Sequence, residues 1–308
     1  MEISELIFTP IESAATRVAA LLSGEVDLLQ ETPVQDIERL ANAPGIKNEQ
    51  GAENRTIFLG MDVGAMELRA SDAEGNPFAD RRVREAIDLA VDQNTIQVAV
   101  MRGNAQPAGM IAPPFVNGYS EELDVVLPAD AGRAQQLMEE AGYGDGFRVT
   151  LHCPNDRYVN DEQICQAVVS MLARIGITVD LVAQTRSLHF AELAREEYDF
   201  YMLGWGVPTM DSEYVFNYLY HTKAGERGSW NFTGYSDERG AEPTVAMGQE
   251  ADEEARNALI EEAWQIVHDE IVYIPIHHQM LTWSMRDDID FKVQSENTPH
   301  FKYLRFDR

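Results

Sequence analysis

The chain has 308 residues, with 24 Lys or Arg, 52 Asp or Glu and a formal net charge of −28; its only lysines are Lys47, Lys223, Lys292 and Lys302. Such a surface repels phosphate backbones and anionic lipid, so neither nucleic acid nor a membrane surface is an expected partner; solubility at high ionic strength is favoured, because salt screens the self-repulsion. No run of about 18 apolar residues occurs, so no membrane insertion is expected, and the opening MEISELIFTP lacks the basic-then-apolar pattern of an export signal.

Residues 6–9 and 26–30 read as strands flanking a helix at 12–23, where Ala15, Val18, Ala19 and Leu22 recur at helical spacing before Gly24. A second helix follows Pro33, with Ile37 and Leu40 on one face, and a strand runs from Arg55 to Val63. This alternation predicts an α/β fold, a mixed sheet with helices packed on it. Asp80 and Asp92 are placed to cap two helices; Val83, Ile87, Ala90 and Val91 face inward in the first, Ile96, Ala99 and Val100 in the second. Arg81, Arg82 and Arg84 read most simply as a solvated face paired with nearby acids. Residues 106–114, stiffened by Pro107, Pro113 and Pro114, read as a surface connection.

An amphipathic helix at 130–141 aligns Ala134, Leu137, Met138 and Ala141. Gly142, Gly144 and Gly146 follow a helix and precede a strand, the reverse of a dinucleotide fingerprint, and read as a cap and turn. A strand at 147–153, a loop at 154–158 and a long helix come next. Asn160 and Gln163 are a capping-box pair for that helix, and Ile164, Ala167, Val168, Met171, Leu172 and Ile175 form its apolar stripe. With the strand Thr178 to Val182 this is a crossover whose loop lies at the carboxyl end of a strand, where open α/β sheets place ligands.

After a helix at 187–196, a short strand over 199–203 is expected to break at Gly204-Trp205-Gly206, with Pro208 preventing its continuation. Trp205 between two glycines reads either as a buried corner residue or as a stacking wall beside open backbone. A helix from near Asp211 to Tyr220, an irregular polar stretch over 221–250, a helix at 252–270, a strand at 272–278 and further strands over 281–306 complete the chain.

Catalytic constellations are missing: there is no nucleophile elbow, HExxH or Walker sequence, and the seven histidines are scattered. His277 and His278 are neighbours in a strand, point to opposite faces and cannot chelate one metal together. Asp287-Asp288 and Glu196-Glu197 read as solvated surface. Cys153 and Cys165 are too few for a disulfide scaffold or a zinc site. They could pair if the chain is exported, but one sits near a strand end and the other inside a helix, which weighs against it. Neither an enzyme nor a cofactor or metal site is expected; the aromatic and amide-bearing loops suit binding.

Several segments occurring together, ATRVAALLSGEVDLL (15–29), FADRRVREAIDLAVDQNTI (78–96), AQQLMEEAGYGDGF (134–147), CPNDRYVNDEQICQAVVSMLARIGITV (153–179), YDFYMLGWG (198–206) and IPIHHQ (274–279), resemble family 5 extracellular solute-binding proteins of ABC importers. This is the peptide, nickel and oligopeptide-binding group. The resemblance implies a type II periplasmic-binding-protein architecture whose two lobes close on a ligand, a non-enzymatic role delivering a peptide-like or other small solute to the permease subunits of an ABC transporter, and a periplasmic or extracellular location. A nickel-type metal or metal-chelate binder is the alternative within the family, and a hydrolase the more remote one.

Family members carry further chain in front of this starting point. Residues 1–60 would then be a remnant of the first lobe, 61–279 the second lobe and 280–308 the return to the first, with a hinge near Phe58 to Asp62 and His278 to Trp283. With part of the first lobe missing, ligand binding should be weak. Carried over by position, Trp205 matches a pocket-lining Trp, Gly204 and Gly206 its flanking backbone, and His278 and Gln279 a strand near the pocket. In peptide-binding members an Asp three residues past that Trp pairs with the ligand's amine; here Pro208 stands there, and Asp211 is the nearest carboxylate that could substitute. Gly240 and Pro243 depart from a segment that is helical in the family.

Overall fold

Two long antiparallel strands carry the fold: β2 (Ile46–Met61) and β7 (Tyr273–Arg286), in a computed structural model that describes residues 3–307. In chain order the other strands are β1 (Leu28–Leu29), β3 (Ala105–Pro107), β4 (Phe147–Pro154), β5 (Ile177–Gln184), β6 (Phe200–Gly206), β8 (Ile289–Asp290) and β9 (Arg305–Phe306). The main sheet has the order β1-β7-β2-β6-β4-β5, with β3 also on β7, while β8 and β9 pair separately. The parallel pairs β4–β5 and β4–β6 need crossovers, and the helices Asp161–Leu172 and Arg186–Leu193 supply them. This is the expected mixed sheet with flanking helices.

The apolar run at the end of β2 is central because it is paired on both sides, and Ile57, Phe58, Leu59 and Met61 have no exposed surface. Alternate residues feed two large cores. Ile57, Leu59 and Met61 join the helices Arg81–Ala90, Ala131–Glu140 and Asp161–Leu172 on one face; Phe58 joins Tyr201, Trp205 and the helix Glu253–Glu270 on the other. Two small clusters, around Leu21 and Leu40 and around Trp283 and Phe291, serve the other end of the pair, where β2 starts and β7 finishes.

Between these regions the β2–β7 ladder is interrupted. Ala52 pairs with Met280 and Thr56 with His278, so Glu53, Asn54 and Arg55 together face Gln279. This bulge bends the strand pair and turns polar side chains inward.

Several expectations are corrected. Residues 6–9 form no strand, and Leu6, Ile7 and Phe8 are exposed. The strand at 199–203 does not stop at the glycines: β6 runs through Trp205 to Gly206, because Arg55 of β2 pairs with Gly206 and the Asn54 side chain grips both backbone groups of Val207. Asn160 lies at φ 54° and caps nothing; its amide donates to the Val100 carbonyl. Asp161 instead accepts from the backbone N–H groups of Arg157, Tyr158 and Glu162.

Arg84 is not on a solvated face. It is 5% exposed and donates to the carbonyls of Phe78, Ala79, Glu270 and Ile271, closing the end of Glu253–Glu270. Arg81 and Arg82 do pair with Glu85 and Asp80. Residues Glu238–Met247 form a helix despite Gly240 and Pro243.

Cys153 and Cys165 form a disulfide, with Cα atoms 6.6 Å apart. Strand-end and helix positions meet because the helix following β4 folds directly back over that strand. The glycine turn at 142–146 is as expected. At Gly146 a Cβ would sit 1.9 Å from the Gly176 carbonyl oxygen, so only glycine fits there.

Candidate functional site

The bulge of β2, the carboxyl end of β6 and the loop after β4 converge at one end of these central strands. Trp205 is 7% exposed, and three partly exposed rings surround it. Tyr214 stacks on it at 5.5 Å between centroids, Tyr218 tilts at 6.1 Å, and Trp230 meets it edge-on at 5.5 Å. Phe190 and Phe232 extend this aromatic surface beyond Trp230. The indole Nε1 of Trp205 is buried without a hydrogen-bond partner among the described residues. Flat rings packed on one another in this way present an apolar wall at little entropic cost to a ligand that stacks on it.

On the other face of β6 the side of Gly204 is occupied by Tyr158. A Cβ on Gly204 would lie 2.7 Å from the tyrosine ring, and the Gly204 N–H donates to the Tyr158 hydroxyl at 2.8 Å. Around Tyr158 stand two guanidinium groups, Arg157 at 5.1 Å and Arg55 at 5.7 Å from its ring centre. Arg55 is paired with Glu53 at 2.9 Å. The Arg157 guanidinium is half-buried and neither donates a hydrogen bond nor forms an ion pair among the described residues; burial and the neighbouring Arg55 charge push its pKa down, against the pull of the Glu53 and Glu31 carboxylates. In a chain of net charge −28, an arginine with no ion pair among the described residues, on the face of β6 opposite the aromatic wall, marks a place for an anion.

The structure separates the residues singled out from sequence. Trp205 and His278 lie on one face of the sheet, Gly204, Gly206 and Gln279 on the other, as strand alternation requires. His278 is 1% exposed, with Nδ1 bonded to Thr56 Oγ1 at 2.8 Å and Nε2 to the buried Asp124 carboxylate at 3.2 Å. Asp124 also accepts from the N–H groups of Gly109 and Met110 and from the Tyr119 hydroxyl, so this pair latches the 106–124 loop to β7.

Gln279 is buried in the bulge, donating to Glu53 and accepting from the Val159 N–H. Asp211 is bound through both oxygens to Arg256 at 2.7 and 2.8 Å and also by Asn117, which holds its pKa down against the effect of burial. Pro208 is exposed. Tyr214 and Tyr218 could have been found from their one-turn spacing beside Trp205; Trp230 and Arg157 carry no local signal. No group of three or more His, Cys, Asp and Glu side chains able to hold a metal occurs among the described residues, and none of the described helices is long and apolar enough to cross a membrane.

The model of "Bacterial extracellular solute-binding proteins, family 5 Middle" matches residues 2–227. The glutathione-binding protein GsiB of Salmonella choleraesuis is 24% identical over 301 residues, covering 93% of this chain and 56% of that protein. The dipeptide-binding protein of Escherichia coli is 24% identical, covering 98% and 55%. Among solved structures, the ABC transporter-associated periplasmic binding protein DppA of Helicobacter pylori, in complex with the peptide STSA, superposes with a TM-score of 0.84 at 21% identity over 97% of this chain and 56% of that one. The chain therefore spans about half the length of the curated relatives it matches. The type II periplasmic-binding fold is present, and the chain belongs to the bacterial extracellular solute-binding proteins of family 5.

Proposed function

We propose that this chain is the ligand-binding part of a non-enzymatic solute-binding subunit that captures a small peptide-like solute, outside the cytoplasmic membrane, for the permease of an ABC importer. The observation that carries this reading is Arg157: a half-buried guanidinium without a hydrogen bond or ion pair among the described residues, next to Tyr158 and at the same end of β6 as the Trp205–Tyr214–Tyr218–Trp230 wall, on its other face. A free carboxylate would complete Arg157, and side chains or peptide planes would stack on the rings. Relatives named for binding glutathione, dipeptides and tripeptides take ligands of this chemistry.

With Asp211 committed to Arg256 and Pro208 exposed, no free carboxylate stands where an amine-binding acid was expected. Recognition therefore leans on the ligand's carboxylate end. The two small cores at one end of β2 and β7 would belong to the first lobe and the two large ones to the second, and the bulge at 53–55 and 279 would be the hinge.

The test is saturation-transfer NMR of the 308-residue chain with Ala-Ala-Ala and with its C-terminal amide. Binding is expected to be weak, because a single lobe supplies one wall of a cleft, and to be stronger for the free acid. Arg157→Ala should erase the preference for the acid, and Trp205→Ala should weaken binding of both peptides by about 1–3 kcal/mol. Equal binding of acid and amide by the unaltered chain would refute the assignment of Arg157.

A further inference from the structure

A cavity of about 440 Å³ lies apart from the Trp205 site. The helices Arg81–Ala90 and Glu253–Glu270 and the segment 108–127 enclose it. Its walls are mostly apolar, with Leu89, Met110, Leu123, Val126, Trp264 and Val267 prominent. That size and lining suit a small organic molecule.

One polar group in the cavity is unexplained by the fold. The carboxyl of Asp88 is partly exposed at the flank of its helix and lines the cavity, and no hydrogen bond or ion pair reaches it among the described residues. Burial, reinforced by the charge of Glu85, pushes its pKa up to about 6. An acid half-withdrawn from water without a partner gains from a cation placed beside it.

The other charges of the lining do not relieve it. Arg81 is already engaged by Glu85 at 2.8 Å and by the Asp269 carbonyl. His268 lies 3.9 Å from the Asp269 carboxylate. Glu122 adds a further negative charge from the loop side. Gln93 spends its amide N–H on the Pro275 carbonyl at 3.3 Å, leaving its oxygen as an acceptor. The cavity therefore offers acceptors and negative charge at one end of an apolar chamber. What it lacks is a cationic donor.

We propose that this cavity is a second ligand site, taking a small amphiphilic organic ammonium whose charged head meets Asp88 and whose apolar body lies against Leu89, Val126, Trp264 and Val267. The head would supply the missing hydrogen-bonded counter-charge, and the body would displace water from apolar walls. The site is independent of the one that carries Arg157, and its test does not depend on peptide binding.

Isothermal titration of the 308-residue chain with 2-(1-naphthyl)ethylammonium, and with the neutral 2-(1-naphthyl)ethanol of the same shape, decides it. Saturable binding of the ammonium to one site is expected, at least tenfold weaker binding of the alcohol, and no competition by Ala-Ala-Ala. Asp88→Asn should lose at least tenfold in ammonium affinity while keeping the native circular dichroism spectrum. Leu127→Trp, at an exposed lining position, should weaken binding by narrowing the chamber, and decides the matter if Asp88→Asn does not fold. The proposal is overturned if the ammonium does not saturate by millimolar concentration, if the alcohol binds equally well, or if both variants bind as the unaltered chain does.

Discussion

Breaking the Cys153–Cys165 bridge should both destabilise the protein and loosen the site. The two half-cystines are 12 residues apart in sequence, and in the chain-entropy account a loop of that size removes about 3 kcal/mol of unfolded-state freedom. Both residues are fully buried, and their sulfurs pack against Met202 of β6. The loop they close contains Arg157 and Tyr158, so the bridge fixes where the unpaired guanidinium stands. Cys153→Ala/Cys165→Ala should lower the melting temperature by on the order of 5–10 °C. The unaltered chain in a strong phosphine reductant should approach the same value once the buried bridge is reduced.

The assay is thermal unfolding by circular dichroism with and without reductant, paired with a thiol titration of the unfolded, unreduced protein. Two free thiols in protein recovered from an oxidising compartment would refute the reasoning. So would a double variant that melts with the unaltered chain. The same variant should show less discrimination between Ala-Ala-Ala and its amide, because Arg157 would no longer be held in one place.

Replacing Arg84 by Met should cost about 3–5 kcal/mol in urea unfolding, since the carbonyls of Phe78, Ala79, Glu270 and Ile271 all lose a charged donor in a buried place; a loss below about 1 kcal/mol would mean that water replaces it. Asp88 gives a pH signature. Folding raises its pKa from 3.8 to about 6, so its destabilising effect is absent below pH 3.8, grows as pH rises through 6 and is constant above, at about 3 kcal/mol at most. Asp88→Asn should therefore be more stable than the unaltered chain at pH 7.5 and no more stable at pH 4, and an equal difference at both pH values would rule out titration of Asp88 as the cause.

Sequence by itself determined the alternation of elements, most helix starts and the family. Caps and apolar stripes are local properties: Asp80 and Asp92 cap where expected, and Ile164, Val168 and Leu172 do line one buried face. The separation of His277 from His278 was also legible, because alternation along a strand is obligatory.

What the tertiary structure decided depends on partners distant in sequence. β6 passes through Gly204-Trp205-Gly206 only because β2, some 150 residues earlier, offers Arg55 and Asn54 to pair with it. Asp211 looked available until Arg256 closed on it, and His278 looked pocket-facing until Asp124 took its free nitrogen. Arg157 showed the reverse. No pattern distinguishes an arginine that finds an acid from one that does not, since pairing is a property of the folded neighbourhood, and the same holds for the uncompensated carboxyl of Asp88.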